Sequence, residues 1–290
     1  MKNIQRHAPN RTAIVYDFDG TLSRVNIQDY SFLPALGVNV SDFWKSVDQI
    51  AELRDCDPVL MYLWHMLNKA KQNGTPITKE ALARHGAQIP LFPGVQTWFR
   101  RLDDYARSRD LTLEHYVISS GNYEIIRGCP IYDQFQKVFA SRYLYNDQGE
   151  AVWPGIAINY TTKTQYLFRI NKGVLNNWDD HSVNRWMPME ERPLPFTRMI
   201  FIGDGDTDIP SMKMVRYQGG FSIAVFDPDR EKAQKSQRNI YRLISEDRVD
   251  FIAPADYEEG GQLESIVKGI IGRFAAEAGY RETGKGDIQG

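Results

Sequence analysis

Residues 13–21 have the sequence Ala-Ile-Val-Tyr-Asp-Phe-Asp-Gly-Thr. The apolar run at the start is typical of a buried strand, and the Asp-Gly step after it is typical of a tight turn. Asp17 and Asp19 are two positions apart, so their side chains face the same way if the strand geometry continues through them. We therefore predict a strand that carries two carboxylates at its C-terminal end.

Other apolar runs along the chain also end in polar clusters. Leu113–Ile118 is followed by Ser119-Ser120-Gly121, and Arg198–Ile202 is followed by Gly203-Asp204-Gly205-Asp206-Thr207-Asp208. A further strand pattern covers Phe221–Phe226, a hairpin is predicted over residues 138–153, and helical patterns lie between the strands. This alternation predicts an α/β protein with a parallel sheet and helices on both faces. Ligands bind at the C-terminal ends of the strands in such a sheet, so the polar clusters are expected to form one site.

The stretch from about residue 26 to residue 90 follows a different pattern. Its apolar residues recur at helical spacing, as in Phe43, Val47, Ile50, Leu53, Leu60, Leu63, Trp64 and Leu67. We predict a small helical cap (26–90), inserted after the first strand and lying over the same edge of the sheet. The core then comprises residues 1–25 and 91–280, and a polar, glycine-rich tail at 281–290 is expected to be flexible.

Composition excludes several classes of protein. A 290-residue chain with 42% hydrophobic and 25% charged residues is ordinary for a globular protein. Its net charge of −2 gives no reason to expect nucleic acid or a membrane surface as partner. Two distant cysteines and five scattered histidines disfavour a disulfide framework and a zinc site. Without a signal peptide or a spanning run of roughly 20 apolar residues, the expected location is cytoplasmic; composition does not indicate an oligomeric state.

The Asp17 and Asp19 pair suits acid–base and nucleophilic chemistry. Adjacent carboxylates repel, which raises the pKa of one of them. One can stay ionised as a nucleophile while the other carries a proton for a leaving group. Gly20 permits the turn, and Thr21 offers a hydroxyl and a backbone N–H to an anion. The alternative is an Asx-type turn with surface carboxylates.

The loop with Asp204 and Asp208 adds hard oxygen ligands. If both converge with Asp17, the pocket is acidic and needs a cation, and oxygen-only ligands suit Mg²⁺. The alternative is a solvated loop in which Asp206 or Asp208 caps the next helix. A metal site is the hypothesis that explains all the carboxylates together.

Two further polar residues are candidate phosphate ligands. Lys163 lies at a helix start, an unfavourable end for a cation, unless its ammonium pairs with the nucleophile and a phosphate. Lys172 is the rival, but it lies at the helix C-terminus, where a lysine is expected on structural grounds. Ser120 can donate to a phosphate oxygen beside the Gly121 N–H, and Ser119 is the alternative.

In chain order, the motifs around Asp17, Ser120, Lys163 and the 203–208 loop resemble the four motifs of the haloacid dehalogenase-like hydrolase superfamily. The match covers residues from about 12 to 226. The helical insertion and the segments 120–125 and 163–172 resemble the phosphoserine phosphatase-like branch. The resemblance implies a Rossmann-like core with a helical cap.

The resemblance also implies a Mg²⁺-dependent phosphatase that acts on a small phosphorylated metabolite. Asp17 attacks phosphorus to form an aspartyl phosphate, while Asp19 protonates the leaving oxygen and later activates water. Mg²⁺ is held by Asp17, the Asp19 carbonyl and Asp204, with Asp208 in or near the shell. The residues implied to hold the phosphoryl oxygens are Ser120 and Lys163.

One departure from the family concerns the substrate. Phosphoserine phosphatases carry a glutamate shortly after the first motif that engages the substrate amine, and Asn26 stands there in this chain, with Gln28 and Asp29 nearby. This argues against phosphoserine but leaves phosphatase chemistry intact. Specificity is expected to lie in the cap, which is rich in aromatic residues: Tyr30, Phe32, Trp44, Tyr62 and Trp64. Most of these are expected to form the core of the cap rather than to contact a substrate.

Four alternatives compete with a phosphatase. A phosphotransferase that uses the same Asp17 is a close variant. A dehalogenase does not need an acid at Asp19 or metal ligands at Asp204 and Asp208. A phosphorylatable receiver domain is smaller and has no helical insertion. A non-catalytic phosphate-binding protein is disfavoured because all the motif residues are intact.

Overall fold

The computed structural model describes residues 10–75, 77–205, 207–229 and 242–283. Within this part the chain forms a seven-stranded sheet in the order β4-β3-β2-β1-β5-β6-β7. The strands are β1 (Arg11–Tyr16), β2 (Thr112–Asn122), β3 (Lys137–Tyr145), β4 (Ala151–Ile156), β5 (Met199–Gly203), β6 (Phe221–Phe226) and β7 (Phe251–Pro254). Neighbouring strands are parallel, except that β3 and β4 form an antiparallel hairpin.

The helices fall between and after these strands. A π-helical turn (Gln28–Phe32) leads into the helices α1 (Leu33–Ala35), α2 (Val40–Arg54), α3 (Pro58–Gln72), α4 (Lys79–Gly86), α5 (Val95–Arg107), α6 (Tyr123–Arg127), α7 (Lys163–Lys172), α8 (Asp180–Asn184), α9 (Ile209–Tyr217) and α10 (Gln262–Thr283). In the described part of the chain, none of them combines the length and apolar character needed to cross a membrane.

The sheet has a hydrophobic core on each face. Alternate residues of β1 point to opposite sides: Ile14 and Tyr16 join one buried cluster, while Ala13 and Val15 join the other. A central parallel strand is buried on both faces because helices cover both sides, which explains the unbroken apolar run of β1. The predicted fold class, a parallel α/β sheet with helices on both faces and a helical cap after the first strand, is confirmed.

The cap is formed by helices between β1 and α5 and is anchored to the core by hydrogen bonds. The Tyr62 hydroxyl donates to the Ser120 carbonyl over 2.7 Å, and the Tyr143 hydroxyl of β3 donates to the Leu63 carbonyl over 2.8 Å. The cap helices α2 to α4 span residues 40–86 and so lie inside the predicted insertion, 26–90. The exact boundaries of the insertion stay a prediction.

Several elements differ from the sequence-based expectation. The strand β7 was not predicted, because its four residues include a proline, which is tolerated there since β7 lies at the sheet edge. The short helix α8 was not predicted either; the buried Arg169 side chain stabilises it by donating to Asp180 Oδ1 over 2.6 Å. At the C-terminus, α10 runs through residue 283, and the rest of the predicted tail, 284–290, lies outside the described residues.

Candidate active site

The topology brings three polar clusters to one edge of the sheet. Asp17 follows β1 directly, Ser119 and Ser120 lie in the last part of β2, and Asp204 follows β5 directly. Because β1 pairs in parallel with both β2 and β5, the C-terminal ends of the three strands are neighbours. The sequence prediction that these clusters meet at one edge is therefore met by the observed pairing.

Three of the carboxylates form a tight group. One oxygen each of Asp17, Asp204 and Asp208 lies within 4.8 Å of the other two. Asp17 is 5% exposed and Asp208 is fully buried, whereas Asp204 is exposed. Asp206, the remaining acidic residue of the same loop, lies outside the described residues. We call Asp17, Asp204 and Asp208 the carboxylate cluster.

Lys163 supplies a positive charge to this cluster. Its side chain is 1% exposed, and its Nζ lies 2.9 Å from Asp17 Oδ1 and 2.7 Å from Asp208 Oδ1. Burial alone lowers the pKa of Lys163, but the two carboxylates more than offset that effect and raise the pKa above its ordinary value. The ammonium therefore remains charged and bridges two acids. The rival Lys172 donates instead to the carbonyls of Val183 and Arg185.

The carboxylate cluster fits a cation such as Mg²⁺. Asp208 Oδ2 is buried and has no hydrogen-bond partner among the residues described, and burial and the Asp17 charge raise the pKa of Asp208. Two glycines lie so close to the acids that a larger residue would clash with a carboxylate. A Cβ on Gly20 would lie 2.2 Å from Asp204 Oδ2, and a Cβ on Gly203 would lie 2.3 Å from Asp208 Oδ2. One ammonium cannot balance three close carboxylates, and an oxygen-only donor set suits Mg²⁺.

Asp19 is held by the entry to the cap. Its Oδ1 accepts the backbone N–H of Ile27 over 3.1 Å, and a Cβ on Gly121 would lie 3.1 Å from its Oδ2. Burial, followed by the charge of Asp17, raises the pKa of Asp19 well above its ordinary value. A carboxyl that retains its proton beside an ionised neighbour is suited to donate that proton.

The residues predicted to bind phosphate take different positions. Ser119 Oγ accepts the Gly121 N–H over 3.0 Å, and Ser120 Oγ is buried with no partner in the described part of the chain. Both serines and Gly121 line the cavity described below, so the choice between Ser119 and Ser120 as a phosphate ligand stays open. Thr21 is fully buried and is not part of the cavity lining; its N–H donates to the Phe18 carbonyl, and its Oγ1 has no hydrogen-bond partner in the described residues, so its role toward an anion stays a prediction.

A cavity of about 280 Å³ lies between the sheet edge and the cap. Asp17, Asp19, Lys163 and Asp204 line its floor. Its other walls come from the cap and adjoining loops and are formed by Asn26, Gln28, Trp44, Val47, Asp48, Pro58, Val59, Tyr62, Tyr160 and Thr207. The cap therefore closes over the carboxylates, as the position of the insertion predicts.

Comparisons with known proteins identify the fold. No family model matches the chain. In sequence it is 24% identical over 281 residues to an uncharacterized protein of Borreliella burgdorferi, covering 88% of this chain and 94% of that protein. A structure of phosphoserine phosphatase in its apo form superposes with a TM-score of 0.53 at 15% identity, over 89% of this chain and 98% of that chain. The chain has the fold of the haloacid dehalogenase-like hydrolases.

A second solved structure agrees with this fold. The haloacid dehalogenase-family hydrolase t0658 of Salmonella enterica serovar Typhi matches with a TM-score of 0.51 at 15% identity, over 78% of this chain and 66% of that chain. The predicted resemblance to a phosphoserine phosphatase-like fold of this superfamily is confirmed at the level of fold. At 15% identity this likeness shows the fold alone.

Sequence reasoning missed part of the wall of the cavity in this haloacid dehalogenase-like fold. Two of the cap aromatics named from the sequence, Trp44 and Tyr62, line the cavity. Asp48 and Tyr160 also line it, and neither was predicted to do so. Trp44, Val47 and Asp48 are spaced i, i+3 and i+4, which places them on one helix face. That spacing was a signal for Asp48, whereas Tyr160 lies in a loop that only the tertiary fold brings to the cavity.

Proposed function

We propose that this protein is a Mg²⁺-dependent phosphatase that hydrolyses a phosphomonoester of a small molecule through an aspartyl phosphate on Asp17. The observation that carries the proposal is the buried Lys163 ammonium, which bridges Asp17 and Asp208 at the floor of the cavity under the cap. A lysine with no role in the site would be expected to point into solvent, because a buried cation at a helix N-terminus is unfavourable without negatively charged partners. A cavity of about 280 Å³ suits a small substrate, and neither nucleic acid nor a membrane is proposed as a partner.

The first half-reaction uses both aspartates of the first motif. A carboxylate oxygen of Asp17 forms a bond to phosphorus, and the bond from phosphorus to the leaving oxygen breaks. Asp19 donates its proton to that oxygen, so the substrate leaves as a neutral alcohol. In this proposal Lys163 and a serine hydroxyl at the end of β2 bind the phosphoryl oxygens, which their presence in the cavity lining supports.

The second half-reaction regenerates the enzyme. Asp19, now ionised, takes a proton from water, whose oxygen attacks phosphorus and releases phosphate and the Asp17 carboxylate. Mg²⁺ held by Asp17, Asp204 and Asp208, together with the Asp19 carbonyl, would supply positive charge that offsets the phosphate and the acids. The Ile27 N–H keeps Asp19 oriented in both steps.

The direct test is hydrolysis of p-nitrophenyl phosphate. With Mg²⁺ we expect steady release of p-nitrophenol. An excess of EDTA should lower the rate by about 100-fold or more, and added Mg²⁺ should restore it, because the carboxylates repel a phosphate unless a cation offsets them. No release with Mg²⁺, together with no phosphoryl group on Asp17 by mass spectrometry, would refute the proposal.

Asp19→Asn tests the acid–base role. The amide can still accept the Ile27 N–H, so the fold should be retained, but it cannot donate a proton to a leaving oxygen. We expect kcat for an alkyl phosphate to fall by about 10²–10⁴-fold with a smaller change in KM. The first step with p-nitrophenyl phosphate should fall less, because p-nitrophenolate leaves without a proton, and a phosphoenzyme should then accumulate. Equal losses with both substrates in a rapid-quench measurement of that step would contradict the assignment.

A further inference from the structure

The cap side of the cavity differs in character from the floor. In the described lining this side is mostly apolar and aromatic, through Trp44, Val47, Val59 and Tyr62, and its carboxylate is that of the exposed Asp48. The floor already holds the groups that bind a phosphate. The leaving group of a substrate therefore faces both an aromatic surface and a negative charge on the cap side.

The two aromatic rings are fixed in place before any ligand arrives. The Trp44 indole N–H donates to Asp29 Oδ1 over 2.8 Å, and the Tyr62 hydroxyl donates to the Ser120 carbonyl over 2.7 Å. The ring centroids lie 5.5 Å apart with an interplanar angle of 56°. Because both polar ends are occupied, the aromatic surfaces are what these residues offer to the cavity, and aromatic faces attract cations.

Gln28 provides an independent sign of a missing ligand. Its side chain is 4% exposed, it lines the cavity, and its Oε1 is buried with no hydrogen-bond partner in the described residues. Buried amides are paired in most proteins, since an unpaired one is unfavourable. A ligand that carries N–H or O–H donors would satisfy this oxygen.

The charge balance excludes an acidic leaving group. Among the described residues that line the cavity, Lys163 is the cation, and its ammonium is already shared by Asp17 and Asp208. A carboxylate or second phosphate on the leaving group would face Asp48 without a positive partner from this lining. An ammonium group would instead be attracted to Asp48 and to the aromatic faces.

Resting on the proposed function, we infer that the substrate is the phosphomonoester of a small amino alcohol. Its alkyl stem packs against Trp44 and Tyr62, its ammonium group lies toward Asp48, and an N–H of that group donates to Gln28 Oε1. This assigns specificity to the cap and accounts for the absence of a basic residue near the leaving group in the described lining.

Three probes of similar size and different charge test this inference: 2-aminoethyl phosphate, n-propyl phosphate and phosphoglycolate. With the Mg²⁺-loaded protein we expect kcat/KM to be highest for 2-aminoethyl phosphate, by about fivefold over n-propyl phosphate, which is the scale of one exposed charge pair. Phosphoglycolate should be the poorest. Asp48→Asn should lower the ratio of the first two by about threefold to fivefold, mainly through KM, and Asp48→Lys should favour phosphoglycolate.

Glu52→Gln is the matched control, because Glu52 is exposed on the same helix and does not line the cavity. It should leave all three values unchanged. Equal kcat/KM values for the three probes, a preference for phosphoglycolate in the wild type, or an equal effect of Asp48→Asn and Glu52→Gln would overturn the substrate class while the phosphatase function stands. If neither these probes nor p-nitrophenyl phosphate is hydrolysed, the proposed function fails, and the substrate class fails with it.

Discussion

Asp17→Asn should lower kcat for p-nitrophenyl phosphate by about 10⁴-fold or more, because the amide cannot form the covalent bond to phosphorus on which both half-reactions depend. Removal of a nucleophile has the largest effect of any single change at such a site. The measurement is steady-state hydrolysis with Mg²⁺, combined with mass spectrometry of acid-quenched protein. Wild type should carry a phosphoryl group in the peptide that contains residue 17, and the variant should not.

The same substitution should preserve or increase stability. The Asn side chain keeps an oxygen where Asp17 Oδ1 now lies 2.9 Å from the Lys163 ammonium, while one charge leaves a crowded carboxylate cluster. The thermal midpoint in EDTA should therefore equal or exceed that of the wild type. Asp133→Asn, at an exposed position outside the cavity, should change neither property. If Asp17→Asn kept wild-type turnover, another residue would be the nucleophile.

Lys163→Met should have the largest effect on stability. It removes the ammonium from between two buried carboxylates, and breaking a buried ion pair in this way costs about 3–5 kcal/mol of unfolding free energy. Lys163 is 1% exposed, with Asp17 at 5% and Asp208 at 0%, so little water can replace the lost partner. Urea unfolding in EDTA measures the loss. Activity should also fall, since the phosphoryl oxygens lose a cation.

Added Mg²⁺ separates an electrostatic cause from a packing cause. A cation bound by the carboxylate cluster would offset part of the charge left by Lys163→Met, so Mg²⁺ should stabilise the variant more than the wild type. Lys172→Met, at the other end of α7, removes hydrogen bonds to the Val183 and Arg185 carbonyls and should show no such Mg²⁺ dependence. If Mg²⁺ had equal effects on wild type and Lys163→Met, the cluster would not be the metal site.

Local patterns were sufficient for most of the fold. The unbroken apolar run of β1 and the polar residues after it predict a central parallel strand, because such a strand is buried on both faces. Helical spacing in the insertion likewise predicts α2 and α3. The strand β7 was not predicted, because four residues with a proline carry little periodicity. The helix α8 was not predicted, because it is stabilised by the buried Arg169 of α7 rather than by a local pattern.

The site was predictable where a motif follows a strand. Asp17, Ser120 and Asp204 could be placed at one edge because the ends of parallel strands adjoin, and Lys163 could be proposed from its unfavourable position at a helix start. The role of Thr21 stays a prediction, since the direction in which the turn folds decides what its hydroxyl and N–H face. Helical spacing could have grouped Asp48 with Trp44, but only the docking of the cap decides that this helix face meets the sheet, and only the tertiary fold brings the loop with Tyr160 to the cavity.

The sequence by itself determined that Asp17 and Asp19 follow a buried strand and that a helical segment interrupts the chain after them, since both depend on neighbours only a few residues away. Tertiary structure alone decided which acids share an ammonium. Lys163 meets Asp17 and Asp208 across 146 and 45 positions of sequence, and no local pattern encodes such a separation. It also decided which cap residues face the carboxylate cluster, because that depends on how the cap packs on the sheet.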